Sequence, residues 1–298
     1  MADAQPVPAA APAAPDGATG AAPSGPPPLA ASDAHHRIFI TGASSGIGQA
    51  LARQYAARGA ALGLVGRRVD ALRALCDTLP GAGHRVYALD VRDRAALRAA
   101  AQDFLSLGPV DGVIACAGIS AGTLTAEPED FQVFQAIFDT NVLAMVATFE
   151  PFIAPMRAQR RGVLVGIGSV AGVRGLPGAG AYSASKAAVR AYCESLRVEL
   201  RGSGVDVVTI APGFIATPMT AHNPYRMPFL MPVARFAAQA VRAIEARDRY
   251  RVIPWPMAWV GRLLRLVPDA LYDAVAAGRK RKPRLPGGDD GKPEDGKP

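Results

Sequence analysis

A tyrosine and a lysine stand four positions apart in the run GAYSASKAAV, residues 180–189, whose other side chains are small or apolar. Residues four apart on a helix share a face, so the ammonium of Lys186 can lie near the ring of Tyr182. A phenol has a pKa of about 10, and a nearby cation favours its ionised form. The pair could therefore exchange a proton with a ligand near neutral pH. The alternative is a core tyrosine beside a solvated lysine.

Three glycines, Gly42, Gly46 and Gly48, follow the apolar run RIFIT (37–41) in the stretch TGASSGIGQAL. A glycine-rich turn that opens a helix lets the backbone N–H groups of the helix approach a phosphate. The spacing is G-x-x-x-G-x-G rather than G-x-G-x-x-G. Its position after the first apolar run indicates a dinucleotide site, and a tight turn without a ligand is the alternative.

The elements that must position these residues are read from the apolar runs that alternate with helical patterns. Short runs that are apolar on both faces are typical of buried strands in a parallel sheet. Helical crossovers place helices on both faces of such a sheet, so the sequence predicts a doubly wound α/β fold in one domain. The predicted strands are RIFIT (37–41), AALGLVG (60–66), HRVYALD (84–90), DGVIACAG (111–118), GVLVGIGS (162–169) and VDVVTIAPG (205–213).

The two ends of the 298-residue chain differ from its middle in composition. Residues 1–34 are almost entirely Ala, Pro, Gly and Ser, and such a segment is predicted to be disordered. The folded domain is expected over 35–255, followed by an amphipathic helical extension over 256–278. Residues 279–298 join a basic cluster to a polar tail, which is also predicted to be disordered.

Composition excludes several classes of protein. The three cysteines and four histidines stand at no metal-ligand spacing, so no metal is predicted and a reducing, cytoplasmic compartment is favoured. The net charge of +8 is spread along the chain without an aromatic and basic module, so no nucleic acid partner is predicted. Residues 1–34 have neither the basic start nor the apolar centre of a secretory signal.

Five motifs, in this order and with these gaps, resemble the short-chain dehydrogenase/reductase family in its single-domain, Rossmann-fold branch. They are TGASSGIG (41–48), Asn141 in DTNVLA, Ser169 in GIGSVAG, YSASK (182–186) and PGFIATPM (212–219). The resemblance covers roughly residues 36–255. It implies an oxidoreductase that passes hydride between a nicotinamide cofactor and a carbonyl or alcohol.

The resemblance assigns four catalytic residues. Tyr182 would be the general acid or base, and Ser169 would orient the substrate oxygen, although a helix N-cap is the alternative for that serine. Lys186 would also hold the ribose of the nicotinamide, and Asn141 would lie in mid-helix and help hold a water. By the same resemblance the cofactor would contact Gly42, Ser44, Ser45, Gly46, Ile47, Gly48, Arg67, Arg68, Asp90, Val91, Ala117, Gly118, Asn141, Tyr182, Lys186, Pro212, Gly213, Ile215 and Thr217.

The choice of cofactor is predicted from charge at the end of the second strand. An NAD site generally places an acidic residue there, whereas a 2'-phosphate needs a cation. Here the sequence is VGRR, with Gly66 in the acidic position and then Arg67 and Arg68, and Ser45 lies in the glycine loop. NADP(H) is predicted, with reduction as the favoured direction. Two solvated arginines are the alternative.

One motif departs from the family. The Asn-Asn-Ala-Gly sequence that usually follows the fourth strand is ACAG here, residues 115–118, so two side-chain amides are missing. The departure puts the stability of the sheet and ribose binding in doubt. Cys116 is interpreted as a small buried hydrophobe.

The stretch from Phe214 to Pro232 occupies the variable substrate loop of the family. Its Met219, Met227 and Met231, with Phe229, could line an apolar pocket, which favours a hydrophobic, lipid-like or steroid-like substrate. Packing against the next helix is an equal alternative.

The extension beyond residue 255 mixes Trp and Leu with Arg. It could lie at an anionic membrane surface or cap the substrate pocket. The resemblance implies a homodimer or homotetramer that pairs through the helices of Asn141 and Tyr182. Two further functions stay open, a catalytically idle NADPH-sensing scaffold and a dehydratase or epimerase.

Overall fold

All six predicted strands are present in the computed structural model, which describes residues 36–221, 223–278 and 281–284. A seventh strand, Tyr250–Ile253, was not predicted from the sequence. Two short strands pair with each other outside the main sheet. The strands are β1 (Arg37–Thr41), β2 (Ala61–Gly66), β3 (Arg85–Ala88), β4 (Gly112–Ala115), β5 (Gly162–Ile167), β6 (Val205–Pro212), β7 (Ile215–Ala216), β8 (Met231–Pro232) and β9 (Tyr250–Ile253).

The main sheet is parallel throughout and has the strand order β3-β2-β1-β4-β5-β6-β9. Every residue of β2, β4 and β5 is buried, which explains why these strands are continuous apolar runs in the sequence. The order reverses between β1 and β4, and ligands of open α/β sheets bind at such a point, beyond the carboxyl ends of the strands. The doubly wound α/β prediction is confirmed.

Helices cover both faces of the sheet. One core contains Leu51, Leu72 and Phe236 from α1, α2 and α8, and the other contains Phe149 and Leu196 from α5 and α6. The bounds of the helices are α1 (Gly46–Ala56), α2 (Val69–Asp77), α3 (Arg94–Ser106), α4 (Asp130–Phe138), α5 (Ala144–Gln159), α6 (Gly180–Glu199), α7 (Pro218–Ala221), α8 (Val233–Glu245), α9 (Pro256–Leu266) and α10 (Asp269–Ala276).

A π-helical turn, Asp139–Leu143, joins α4 to α5 in one helical run. The run Asp130–Gln159 is long and apolar enough to cross a membrane by length and composition alone. Its α5 part packs into the protein, since Phe149 and Phe152 are fully buried. The π turn places one extra residue in the helix, a feature that is frequent at functional sites.

The predicted disordered tails lie largely outside the described residues, which exclude 1–35, 279–280 and 285–298. Residues 281–284 of the predicted C-terminal tail are described, and they form hydrogen bonds and ion pairs with the folded domain.

Candidate active site

The hydroxyl groups of Ser169 and Tyr182 meet beyond the carboxyl end of the sheet. Ser169 follows β5, and Tyr182 lies in the first turn of α6. The Ser169 oxygen accepts a hydrogen bond from the N–H of Ala171 at 3.1 Å, and its hydroxyl lies close enough to the Tyr182 phenol to lower the pKa of that phenol. One hydroxyl can donate and accept at once, so the helix-cap role and the tyrosine contact coexist.

Lys186 lies one turn after the tyrosine and is buried. Its Nζ is 5.8 Å from the centroid of the Tyr182 ring and donates to the carbonyl oxygen of Ile167 at 2.9 Å. Burial lowers the pKa of Lys186 to about 8, because an ammonium loses its hydration there. The end of β5 and the second turn of α6 are thus joined by the lysine side chain.

Burial also raises the pKa of the Tyr182 phenol, while the hydrogen bond from Ser169 opposes the shift and Tyr225 adds to it. That the Lys186 ammonium favours the phenolate stays a prediction. In this structure desolvation disfavours the charged form of both groups, and the ammonium is bound to a carbonyl oxygen. At neutral pH the phenol keeps its proton.

Asn141 lies in the π turn and is 1% exposed. Its Oδ1 accepts from the N–H of Ile119 at 2.8 Å, and its Nδ2 donates to the carbonyl oxygen of Ile119 at 3.0 Å and to the Ser185 hydroxyl at 3.0 Å. The Ser185 hydroxyl in turn donates to the carbonyl oxygen of Tyr182 at 2.8 Å. The asparagine thus connects the loop after β4 to the helix of the tyrosine.

The loop after β4, which lacks the two asparagines that are usual in the family, is bound by Thr41 at the end of β1. The Oγ1 of Thr41 accepts from the N–H groups of Cys116 at 3.1 Å and Ala117 at 3.3 Å. Gly118 follows, and a Cβ built there would lie 3.1 Å from the Asn141 Oδ1. Burial raises the pKa of the Cys116 thiol to about 12, which fits a buried hydrophobe rather than a nucleophile.

The turn between β1 and α1 has the shape of a phosphate cradle. Gly42 has a φ of +72°, and a Cβ there would lie 2.8 Å from the backbone of Ala117. A Cβ at Gly48 would lie 2.2 Å from the carbonyl oxygen of Gly42. Within the first turn of α1, which the structure describes completely, no side chain is acidic and the Ser45 side chain caps no N–H group. These residues fit a dinucleotide, because free N–H groups at a helix start attract phosphate.

Arginines surround the end of β2. Arg68 donates to the carbonyl oxygen of Ser44 at 3.0 Å, and the exposed Arg67 helps to lower the pKa of Asp90. The carboxylate of Asp90 is itself bound by Arg92, at 2.9 Å for the closest pair of atoms. Val91 is buried in the core, so only its backbone remains for a ligand.

The remaining predicted cofactor contacts follow β6 or lie within α1. Thr217 packs near Gly46, since a Cβ built at that glycine would lie 3.5 Å from the threonine side chain. Pro212 ends β6, Gly213 follows it beside Met257, and Ile215 is buried in the core. The side chain of Ile47 packs partly against the same core.

The predicted substrate loop has both apolar exposure and core packing. Met231 is buried in the core, which agrees with the packing alternative for this methionine. Met219, Phe229 and Leu230 are exposed. The Tyr225 ring is tilted against the Phe214 ring, with centroids 6.3 Å apart, and Tyr225 lies close enough to Tyr182 to raise its pKa.

Comparison with known proteins agrees with this geometry. The sequence profile described as short chain dehydrogenase matches residues 36–226. An uncharacterised oxidoreductase of Myxococcus xanthus is 40% identical over 246 residues, which cover 81% of this chain and 96% of that protein. The chain belongs to the short-chain dehydrogenase/reductase family.

Two further relatives of this family indicate its range. A sulfoacetaldehyde reductase of Chromohalobacter salexigens is 36% identical over 189 residues, 61% of this chain and 74% of that protein. The crystal structure of a short-chain dehydrogenase/reductase from Burkholderia phymatum in complex with NAD has a TM-score of 0.70 at 26% identity, and the match covers 85% of this chain and 97% of that chain.

Several residues of the site were not found from the sequence. Thr41 binds the backbone N–H groups of Cys116 and Ala117, which are distant in the sequence. Ser185 accepts a hydrogen bond from Asn141, which is also distant, and donates to the carbonyl oxygen of Tyr182. Arg174 donates to the carbonyl oxygens of Leu264 at 2.9 Å and Val267 at 2.7 Å, and so fixes the end of α9 to the loop between Ser169 and Tyr182. The extension is therefore packed on the loop that follows Ser169.

Replacing Asn141 with alanine is expected to lower the free energy of unfolding by about 1–3 kcal/mol, because the N–H and C=O of Ile119 lose their partner in a buried place. Denaturant unfolding of Asn141→Ala measures the change. Gln135→Ala on the exposed face of α4 is the control and should stay within about 0.5 kcal/mol of the parent. Equal stability of the two variants would contradict this role for Asn141.

Proposed function

We propose that the protein is a cytoplasmic NADPH-dependent reductase of a carbonyl group on a hydrophobic substrate, with Tyr182 as general acid. The observation that carries the proposal is the placement of the Ser169 and Tyr182 side chains together beyond the end of β5, with the Nζ of the buried Lys186 5.8 Å from the centroid of the tyrosine ring. It supports the direction as well, because a phenol with a raised pKa holds a proton that it can donate to a substrate oxygen.

Ser169, Tyr182 and Lys186 each have a separate role in the proposed reaction. Ser169 donates a hydrogen bond to the substrate oxygen and so orients the carbonyl. Tyr182 gives its proton to the same oxygen as negative charge develops there, and the Lys186 ammonium stabilises the resulting phenolate through the short distance to the ring. A bound nicotinamide supplies the hydride. Lys186 would hold the ribose of the nicotinamide, and Asn141 would help to hold a water.

The substrate preference rests on the loop after β6. Met219, Phe229 and Leu230 expose large apolar side chains in the same loop as Tyr225. Tyr225 in turn lies close enough to Tyr182 to raise its pKa. Apolar side chains that stay exposed in a loop beside a site are available to a ligand, and methionine adapts to irregular shapes. This supports a substrate with an apolar body.

Tyr182→Phe is expected to lower kcat by about a hundredfold or more, because the general acid is lost while the fold is kept. The assay follows NADPH consumption with carbonyl compounds graded by chain length, and kcat/KM should rise with length. Tyr192→Phe is the control, since it removes a hydroxyl from the same helix at a ring stacked on Phe149.

Two results of that assay would count against the proposal. Unchanged turnover in Tyr182→Phe would remove the tyrosine from the mechanism. Tight NADPH binding without turnover of any carbonyl compound would favour the idle scaffold instead.

The NADPH preference is proposed from the charge at the end of β2. Arg67→Asp should reverse the preference, so that kcat/KM with NADPH falls at least about tenfold while kcat/KM with NADH rises, because an acidic residue binds a free ribose and repels a 2'-phosphate. Arg73→Asp, the same charge change at an exposed position of α2, is the control. A parent enzyme that uses NADH as readily as NADPH would refute the assignment.

A homodimer or homotetramer is proposed through the run from α4 to α5. Leu143 is 61% exposed, Val146 is also exposed, and both lie on this helical run close to the site. Exposed apolar side chains on one helix face indicate a protein contact. Leu143→Glu with Val146→Lys should yield a monomer by light scattering, whereas Leu107→Glu at the exposed residue that follows α3 should not. A parent that is already monomeric at micromolar concentration would end this proposal.

A membrane contact is proposed through the outer face of the extension. Trp255, Trp259, Leu263 and Leu266 recur along α9, and all four are exposed. Such a stripe, in a chain of positive charge, suits an anionic bilayer surface. The parent should float with vesicles that contain phosphatidylserine, and Trp259→Ser with Leu266→Ser should lower the bound fraction several-fold. Equal flotation of both proteins would show that the face only packs or stays in water.

A further inference from the structure

The described residues of the C-terminal segment, 281–284, lie across the loops that carry the site. The N–H of Gly122 donates to the carbonyl oxygen of Pro283 at 2.8 Å, and Gly122 forms a parallel bridge with Arg284. A Cβ built at Gly122 would lie 2.3 Å from the carbonyl oxygen of Lys282. The loop after β4 therefore receives this segment only because a glycine stands there.

Arg284 anchors the segment. Its Nε lies 2.8 Å from the Asp130 carboxylate, and its guanidinium reaches Glu127 at 3.4 Å and Glu129 at 3.5 Å. The Asp130 side chain is 4% exposed and also accepts from the N–H of Leu124 at 2.7 Å. These bonds lower the pKa of Asp130, so the pair stays ionised at neutral pH.

Lys282 points from this anchored segment toward the catalytic tyrosine. Its Nζ lies 5.8 Å from the centroid of the Tyr182 ring, the same distance as the Nζ of Lys186. It donates to the Ser120 hydroxyl at 2.7 Å, and Ser120 follows directly after the residue that Asn141 holds. The ammonium is therefore held by one hydrogen bond to the loop after β4 and lies over the ring of Tyr182.

This cation has no counter-charge of its own. Among residues 36–221, 223–278 and 281–284, no carboxylate lies within ion-pair distance of Lys282, whereas the nearby acidic residues are bound by Arg284. Burial lowers its pKa to about 8, and no charged neighbour offsets the effect. An ammonium has three N–H donors, and the Ser120 hydroxyl uses one of them.

We propose that Lys282 is a specificity-determining residue that binds an anionic group, such as a carboxylate, on the substrate whose carbonyl meets Ser169 and Tyr182. The inference rests on the proposed function, because it names the chemistry of the substrate at the same site. An ammonium that is partly desolvated and lacks a partner gains most from an anion with two acceptor oxygens. The substrate class is then an oxo acid with an apolar body.

The test compares oxo acids with their methyl esters at equal chain length, using the full-length chain and NADPH. The acid should have a kcat/KM about ten- to a hundredfold higher than its ester, because a hydrogen bond to a charged group is lost in the ester. Lys282→Gln should bring the acid-to-ester ratio of kcat/KM close to one, mainly by raising KM for the acid. The kcat/KM for the ester should stay within about threefold of the parent, because the ester makes only a weak neutral contact with this residue.

Two variants serve as controls. Lys282→Arg should retain most of the preference for the acid, since it keeps the charge. Lys280→Gln removes the same charge two positions earlier in the basic run and should leave the ratio unchanged. A parent that treats acid and ester alike, or a preference that survives Lys282→Gln, would overturn the assignment.

A binding measurement separates this inference from the proposed function. Equilibrium dialysis compares hexanoate with hexanamide, neither of which can be reduced here. Tighter binding of hexanoate to the parent, lost in Lys282→Gln and kept in Lys280→Gln, would support the anion site even if no carbonyl compound were turned over. Equal binding of the two probes would overturn it even if Tyr182 proved to be the general acid.

Discussion

The side-chain amide of Asn141 is the contact on which the geometry of the site depends. It satisfies both backbone groups of Ile119 on one side and the Ser185 hydroxyl on the other, in a place where water cannot replace it. A regular helix would aim this residue elsewhere, and the π turn is what brings it between the loop after β4 and α6. The positions of Ser120, Gly118 and Tyr182 all follow from this one connection.

Burial sets the protonation of the reacting groups. Burial disfavours the charged form of both groups. It raises the pKa of the Tyr182 phenol and lowers the pKa of the Lys186 ammonium. The proposed reduction needs this protonation state, because Tyr182 would donate its proton to the substrate oxygen. Such perturbed groups cluster at functional sites because desolvation and short contacts are strongest there.

The fold could be predicted from the sequence because its strands are buried on both faces and its turn glycines stand at fixed places. β9 could not, since three of its four residues are not buried and it pairs only at the edge of the sheet. The roles of Ser169, Tyr182 and Lys186 were predicted from a resemblance, and their joint position agrees with it. Thr41 was missed, and Met231 was left between two alternatives, because only tertiary packing decides whether a threonine caps a loop or a methionine enters a core.

The segment 281–284 shows where the chain keeps its freedom to change. The sheet and the turn glycines are fixed by close packing, whereas this strip is attached through the side chains of Arg284 and Lys282 and through its backbone contact with Gly122. If Lys282 has the proposed role, substitutions within residues 281–284 would change which substrates bind beside Tyr182 while the sheet and the turn glycines keep their packing.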